Sequence, residues 1–396
     1  MPRILHLIGT VDPAAGGPTE VIRMLARHAP PGVECEVATT DDPFASFVHD
    51  MPCIVHALGS ARRQWYVPAL RDWLIGNQDR FDGVIVHGLW EYTGVAARIA
   101  LRGRVPYAVF PHGMLDTYFR AAHPLKHLKK SLYWLTEEYW TLRGAHRVLF
   151  TTEAERDAAE KTFFPSRWNS VVTPIGCEAP PPYNELQGNA FATAVPAAVG
   201  QRFLLFLGRI DPKKGCDLLL DAFTAPNGAA TQDPGLHLVM AGPDASGWSH
   251  ALRERVARTP FANRVHWPGM LRGDAKFGAL ASCEAFVLTS HQENFGVAVA
   301  EAMAAGRPVL LTHPVNIAQA IAAGGGGLTD ADTPAGVASL LHRWRQLPTE
   351  QREAMGVRAR HLFSERFDMP RNAKAILRVF QHEAVNISGS PVEGLS

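Results

Sequence analysis

The chain alternates short, nearly continuous apolar runs with amphipathic stretches, and does so in two successive sets. In the first half, residues 3–8, 35–40, 53–59, 83–88, 107–113 and 147–152 read as strands. In the second half, residues 203–208, 236–242, 264–269, 283–290 and 307–312 do. Helical patterns lie between them, for example over 20–28 and 296–305. Runs that are apolar throughout imply burial on both faces, as in a parallel sheet covered by helices. Two sets of strand–helix alternation therefore predict two doubly wound α/β domains. The length of 396 residues agrees, at roughly 150 residues per domain. Residues 179–200 hold Pro180, Pro181, Pro182, Gly188 and Pro196 with little periodicity, and are expected to link a first domain, 1–178, to a second, 201–371. The small, polar residues 385–396 are expected to form a mobile tail.

Composition removes several classes of function. Lys and Arg number 39 against 38 Asp and Glu, a net charge of +1, which argues against a nucleic-acid coat protein. No apolar run approaches the ~20 residues that span a bilayer, and the opening MPRILHLIGT is too short and too soon interrupted for a signal peptide. Cys35, Cys53, Cys177, Cys216 and Cys283 are odd in number, scattered and never in C-x-x-C. They read as thiols of a reducing cytoplasm, with neither a zinc site nor a disulfide framework.

Ligands of open α/β sheets bind beyond the carboxyl ends of strands, so the chemistry is sought there. After the first strand, Gly16-Gly17-Pro18-Thr19-Glu20 has the form of a helix start whose free N–H groups could hold a phosphate, or of a simple turn. It is not the dinucleotide G-x-G-x-x-G, and Gly324–Gly327 reads as a loop. After the first strand of the second half, GRIDPKKG (208–215) offers Arg209 and Lys214, cations suited to a diphosphate. Next, SHQENFG (290–296) leads into a helix in which Glu301 sits among small and apolar neighbours; a buried acid needs a partner. His112, in Pro111-His112-Gly113 at a strand end, could touch substrate or cap a turn. Asp330 and Asp332 form a literal D-x-D without a second cluster of ligands, a poor case for a metal.

Taken in order, these motifs resemble those of glycosyltransferases of the GT-B fold, and specifically the retaining group called family 4. The residues that carry the resemblance are ENFGVAVAE (293–301), GRIDPKKG (208–215), the GGPTE loop (16–20) and PHGML (111–115). VNIAQAI (315–321) is similar to bacterial exopolysaccharide enzymes of this type, and the likeness spans about residues 1–380. It implies two Rossmann-like domains facing a central cleft, with a final helix, about 372–384, crossing back to the first. It also implies that Arg209 and Lys214 contact a donor diphosphate and that Gly16 and Gly17 approach it through backbone N–H groups. Glu301 would hold ribose hydroxyls. Glu293 would bind the donor sugar, in a pocket lined by the backbone of Asn294, Phe295 and Gly296, and His112 would lie at the reacting centre. No metal or other cofactor is expected, since cations and helix termini stabilise the leaving group.

The expected reaction moves a sugar from a GDP- or UDP-linked donor to the hydroxyl of a glycan or lipid-linked acceptor in cell-surface glycan synthesis. A GT-B nucleotide-sugar epimerase and a non-catalytic nucleotide-sugar binding module are the alternatives; the ENFG…E spacing with GRIDPKKG favours transfer over the first, and the presence of both His112 and Glu293 speaks against the second. Residues 117–136 contain no acid and carry Arg120, Lys126, Lys129 and Lys130 with interleaved aromatics, Trp134 among them. That mixture suits an anionic membrane surface or a helix packed on its own domain, so the expected location is cytoplasmic, peripheral on the inner face of the membrane.

Overall fold

A computed structural model describes residues 1–59, 66–118, 124–244 and 246–380. The first domain holds β1 (Arg3–Ile8), β2 (Glu34–Thr39), β3 (Ile54–Ala57), β4 (Gly83–His87), β5 (Tyr107–Phe110), β6 (Arg147–Phe150) and β7 (Ser170–Val172). The second holds β8 (Arg202–Leu207), β9 (Leu236–Ala241), β10 (Val265–Gly269), β11 (Ala285–Leu288), β12 (Val309–Thr312) and β13 (Gly327–Asp330). These strands pair in parallel, in the orders β3-β2-β1-β4-β5-β6-β7 and β10-β9-β8-β11-β12-β13. Every residue of β4, β5, β11 and β12 is buried, which is why these runs are mostly apolar and do not alternate, with His87 and Thr312 standing at strand ends.

Two edge strands, β7 and β13, have no counterpart among the strands expected from sequence. Both are short and only partly buried, so neither shows an apolar run. Gly327, expected in a loop, opens β13.

The stretch 179–200, expected as an irregular linker, contains the helix Glu185–Ala194. Asn184 and Gln187 form a reciprocal capping box at its start, which satisfies two orphan backbone donors. Phe191 then stacks on Phe203 of β8 at 5.3 Å, and the helix packs against Gly273–Ser282. Past the second domain, the helix Met369–Leu377 packs on Gly17–Arg27 of the first. The return is tied by Cys177 N–H to the Phe367 carbonyl at 3.0 Å and Met369 N–H to the Cys177 carbonyl at 3.1 Å. Residues 381–396, including the expected tail, lie outside the described residues.

In each sheet the strand order reverses beside the first strand, between β1 and β4 and between β8 and β11. Ligand crevices form at such points. The loops after β1 and β4, and after β8 and β11, are therefore the ones the topology marks for function.

Candidate active site

The loop after β1 is braced by Asp41, which accepts from Thr10 Oγ1 at 2.6 Å and Val11 N–H at 2.7 Å. It ends at Gly16, which has a positive φ of 95° and caps the helix Gly17–Arg27 without any side-chain bond. A side chain added at Gly16 or Gly17 would meet nothing within 4 Å. The first turn of this helix thus opens its N–H groups to free space, a favourable place for an anion. Lys276 of the second domain lies within electrostatic reach of Glu20 in that turn, so this helix start faces the other domain.

On the opposite side, Asp211 caps the turn Pro212–Lys214, accepting from Lys213 N–H at 3.0 Å. Gly215 follows in the left-handed region, φ 60°, and a Cβ there would sit 2.0 Å from the Thr289 carbonyl oxygen. Only glycine lets this loop rest on the end of β11. Arg209 is exposed and forms no ion pair among the described residues. Lys214 Nζ pairs with Glu293, which brings the two motifs after β8 and β11 together. Burial, and then neighbouring Lys214, lower the pKa of Lys213.

VNIAQAI braces this acid loop. Glu293 N–H donates to the Pro314 carbonyl at 3.1 Å, Asn316 N–H donates to the Glu293 carbonyl at 3.0 Å, and Asn316 Nδ2 donates to Asn294 Oδ1 at 3.2 Å. Phe295 is buried edge-on to Phe367 at 5.7 Å, which leaves only its backbone for a ligand. Gly296 starts the helix Val297–Ala304 from a left-handed conformation. Glu301 is not an unpartnered acid within that helix: Lys276 Nζ donates to it at 2.7 Å.

His112 takes the left-handed region, φ 52°, unusual for a residue with a side chain. Its ring stacks on Phe110 at 4.3 Å, and its Nε2 lies 2.9 Å from His87 Nδ1. Burial pulls its pKa down to about 3, so it is a neutral imidazole in this setting. Gly113 touches the other domain, since a Cβ there would come within 2.8 Å of the Asn294 Cβ.

Sequence reasoning missed the group that joins these loops. Glu155 accepts from Gly113 N–H at 2.6 Å, Thr151 N–H at 2.7 Å and Thr151 Oγ1 at 2.8 Å, and also interacts with Asn294. Its spacing from Thr152 reads as an ordinary capping box, and Thr152 does cap the helix. The carboxylate is instead buried beneath the contact between PHG and ENFG, and burial raises its pKa. Gln292 Nε2 adds a second bond across the domains, to Asp116 Oδ2 at 3.1 Å.

Two family models cover most of the chain in succession: "Glycosyl transferase 4-like domain" over residues 16–176 and "Glycosyl transferases group 1" over residues 191–362. The chain belongs to the family 4 glycosyltransferases. The transferase is 26% identical over 343 residues to the GDP-mannose:cellobiosyl-diphosphopolyprenol alpha-mannosyltransferase of Xanthomonas campestris, covering 83% of this chain and 84% of that one. It is 27% identical over 325 residues to a D-inositol 3-phosphate glycosyltransferase of Frankia alni, covering 78% and 76%. Among solved structures, Anabaena HepE in complex with UDP and glucose superposes with a TM-score of 0.74 at 18% identity, covering 95% of this chain and 98% of that one. Sucrose-phosphate synthase from Thermosynechococcus elongatus gives 0.75 at 18%, covering 96% and 98%. These last two likenesses establish the GT-B fold.

The basic, aromatic stretch of the transferase differs from expectation in two residues. Trp134 is 1% exposed; it stacks on Phe163 at 4.9 Å and donates from Nε1 to the Pro165 carbonyl at 3.0 Å. It belongs to the core and cannot line a membrane surface. Lys130 is turned inward over the Trp90 ring, 4.3 Å from its centroid. Arg120 lies outside the described residues, as does the side chain of Lys126, while Lys129 is exposed. What the same helix shows outward is a row of leucines, Leu125, Leu128, Leu132 and Leu135, each more than half exposed. Among the described residues no group of three or more His, Cys, Asp or Glu side chains could hold a metal ion. Asp330 pairs with Arg343, and Asp332 with His291.

Proposed function

We propose that the enzyme transfers a hexose with retention of configuration from a nucleotide diphosphate sugar, GDP-mannose in the first instance, to a hydroxyl of a diphosphopolyprenol-linked saccharide. The observation that carries this reading is the meeting of loops from the carboxyl ends of both sheets, the switch-point loops after β1, β8 and β11 together with the loop after β5. Arg209 and the Lys214–Glu293 pair project from the second domain, and His112 and the open helix start at Gly16–Gly17 line the first. The mannosyltransferase name of the Xanthomonas relative supports both the donor and the acceptor class.

In this reading the donor diphosphate displaces Lys214 from Glu293 and binds Lys214, Arg209 and the backbone N–H groups of Gly16 and Gly17. Glu293, released, takes the sugar hydroxyls, and Glu301 with Lys276 takes the ribose. The bond from the anomeric carbon to the phosphate oxygen breaks and the acceptor oxygen bonds to the same face. The acceptor proton passes to the departing phosphate oxygen, so Glu293 is a binding group and not a nucleophile. Positioning and fixed charge then supply the catalysis without a metal. An epimerase with the same pocket would release no glycoside when offered an acceptor.

Replacing Arg209 or Lys214 by Ala should lower the release of GDP from GDP-mannose about 10²–10³-fold, the usual loss for one charge-stabilising donor. Normal turnover in both variants would remove the diphosphate assignment.

The acceptor's lipid calls for work at a membrane surface. The leucine row on the helix Pro124–Tyr133 and its continuation, with exposed Lys129, supports a peripheral, inner-face attachment. So does a cavity of about 830 Å³ beside Trp140, whose lining includes the exposed Arg102, Arg104 and Arg143, since cations near anionic lipid each add about 1 kcal/mol.

A further inference from the structure

Three histidines form a chain through the first sheet. His6 lies on β1, His87 ends β4 and His112 follows β5, on three neighbouring strands. His6 Nδ1 is 2.9 Å from His87 Nε2, and His87 Nδ1 is 2.9 Å from His112 Nε2. His6 and His87 are no more than 1% exposed. Burial lowers the pKa of each ring, to about 4 for His6 and about 3 for His112. A neutral imidazole has one N–H and one bare nitrogen, so a chain of three has only two consistent arrangements.

In the first, every ring carries its proton on Nδ1. His6 donates to His87, His87 donates to His112, and Nδ1–H of His112 is left for a ligand. In the second, every proton sits on Nε2 and the bonds run the other way. The buried end of the chain decides between them. His6 Nε2 is buried and has no hydrogen-bond partner. The second arrangement would place an N–H there, and orphaned buried N–H groups are rarer than under-used acceptors. The open end agrees: His112 is only partly buried, and its Nδ1 makes no bond among the described residues.

We infer that His6 and His87 are positioning residues that hold His112 with its proton on Nδ1, so that it presents a neutral N–H donor to an oxygen of the bound nucleotide sugar. His112 in this form cannot take the acceptor's proton through that nitrogen. The identity of the oxygen rests on the proposed donor site; the direction of the chain does not.

Long-range proton–nitrogen NMR of the full chain, labelled with ¹⁵N-histidine and assigned with His112→Asn and His87→Gln, tests it. The free protein at pH 7 should show protonated Nδ1 and bare Nε2 at His112. A proton on Nε2, or an average of both forms, would overturn the inference. His6→Met replaces a donor by an acceptor-only thioether, and should move the His112 proton toward Nε2. A His112 pattern unchanged in His6→Met would overturn the role of His6. Adding GDP-mannose or UDP-glucose should shift the Nδ1 signal; a locked ring that neither moves would count against the donor site while leaving the lock intact.

Discussion

At the scale of single residues, the groups that make the cleft are of two kinds. Arg209, Lys214, Glu293 and His112 follow strands, where a reader of sequence looks for chemistry, and the last three each meet a partner from another loop or strand. His6, His87 and Glu155 work from inside the fold. The two histidines interrupt the apolar runs RILHLI and GVIVH, and a strand's period of two says nothing about which neighbour a lone His will face. Their burial has a measurable cost in acid. Unfolded histidines protonate near pH 6.5, whereas folded His6 resists until about 4 and His112 until about 3. The folded chain therefore binds fewer protons below pH 6.5, and stability falls as pH drops, by about 1.4 kcal/mol per unit for each ring. Urea unfolding midpoints of wild type and His6→Met should diverge between pH 6.5 and 4.5, the variant losing less by up to about 3 kcal/mol; parallel curves would contradict this.

At the scale of elements, the stretch after β5 shows what periodicity can and cannot give. An amphipathic pattern identifies a stripe without saying whether the core or the solvent lies against it. Here the helix Pro124–Tyr133 runs into a π-helical turn, Trp134–Glu138, which inserts a residue and rotates the later turns about the axis. Leu125, Leu128 and Leu132 precede that turn and face outward on one side of the helix, while Trp134, about 180° around the axis from Leu125, falls on the buried side. Glu138 in that turn is buried and accepts from Trp90 N–H, and burial raises its pKa to about 7. Since the folded value lies above the unfolded one, its contribution is present below about pH 4.5 and is lost as pH rises through 7. Glu138→Gln should therefore gain stability relative to wild type across that window, by at most about 3 kcal/mol, in paired urea titrations. A difference independent of pH would refute the shift. The edge strands β7 and β13 and the helix Glu185–Ala194 escaped the sequence for another reason. They are short, and they are held by strand pairing or, for the helix, by a cap, an aromatic stack and packing on the helix Gly273–Ser282, none of which leaves a long pattern.

At the scale of the whole molecule, the alternation of apolar runs was enough for two doubly wound sheets, because parallel strands buried on both faces can hardly be written another way. How the sheets meet was not legible, since the bonds that join them, Gln292 to Asp116 and Glu155 beneath Gly113 and Asn294, connect residues far apart in the chain. The outward leucines make a prediction at this scale. Wild type should float with vesicles containing anionic phosphatidylglycerol at low salt, and Leu128→Asp with Leu132→Asp should abolish flotation while GDP release from GDP-mannose persists. Flotation unchanged by the pair would place any membrane contact elsewhere. The central claim, that the switch-point loops form one nucleotide-sugar site, is tested most directly by thermal shift with GDP, UDP, GDP-mannose and UDP-glucose. A ligand at one hundred times its Kd stabilises the fold by about 2.7 kcal/mol. GDP-mannose should raise the Tm of wild type, and Arg209→Ala and Lys214→Ala should each lose most of the rise. No rise with any of the four ligands at millimolar concentration, or a full rise in both variants, would contradict it.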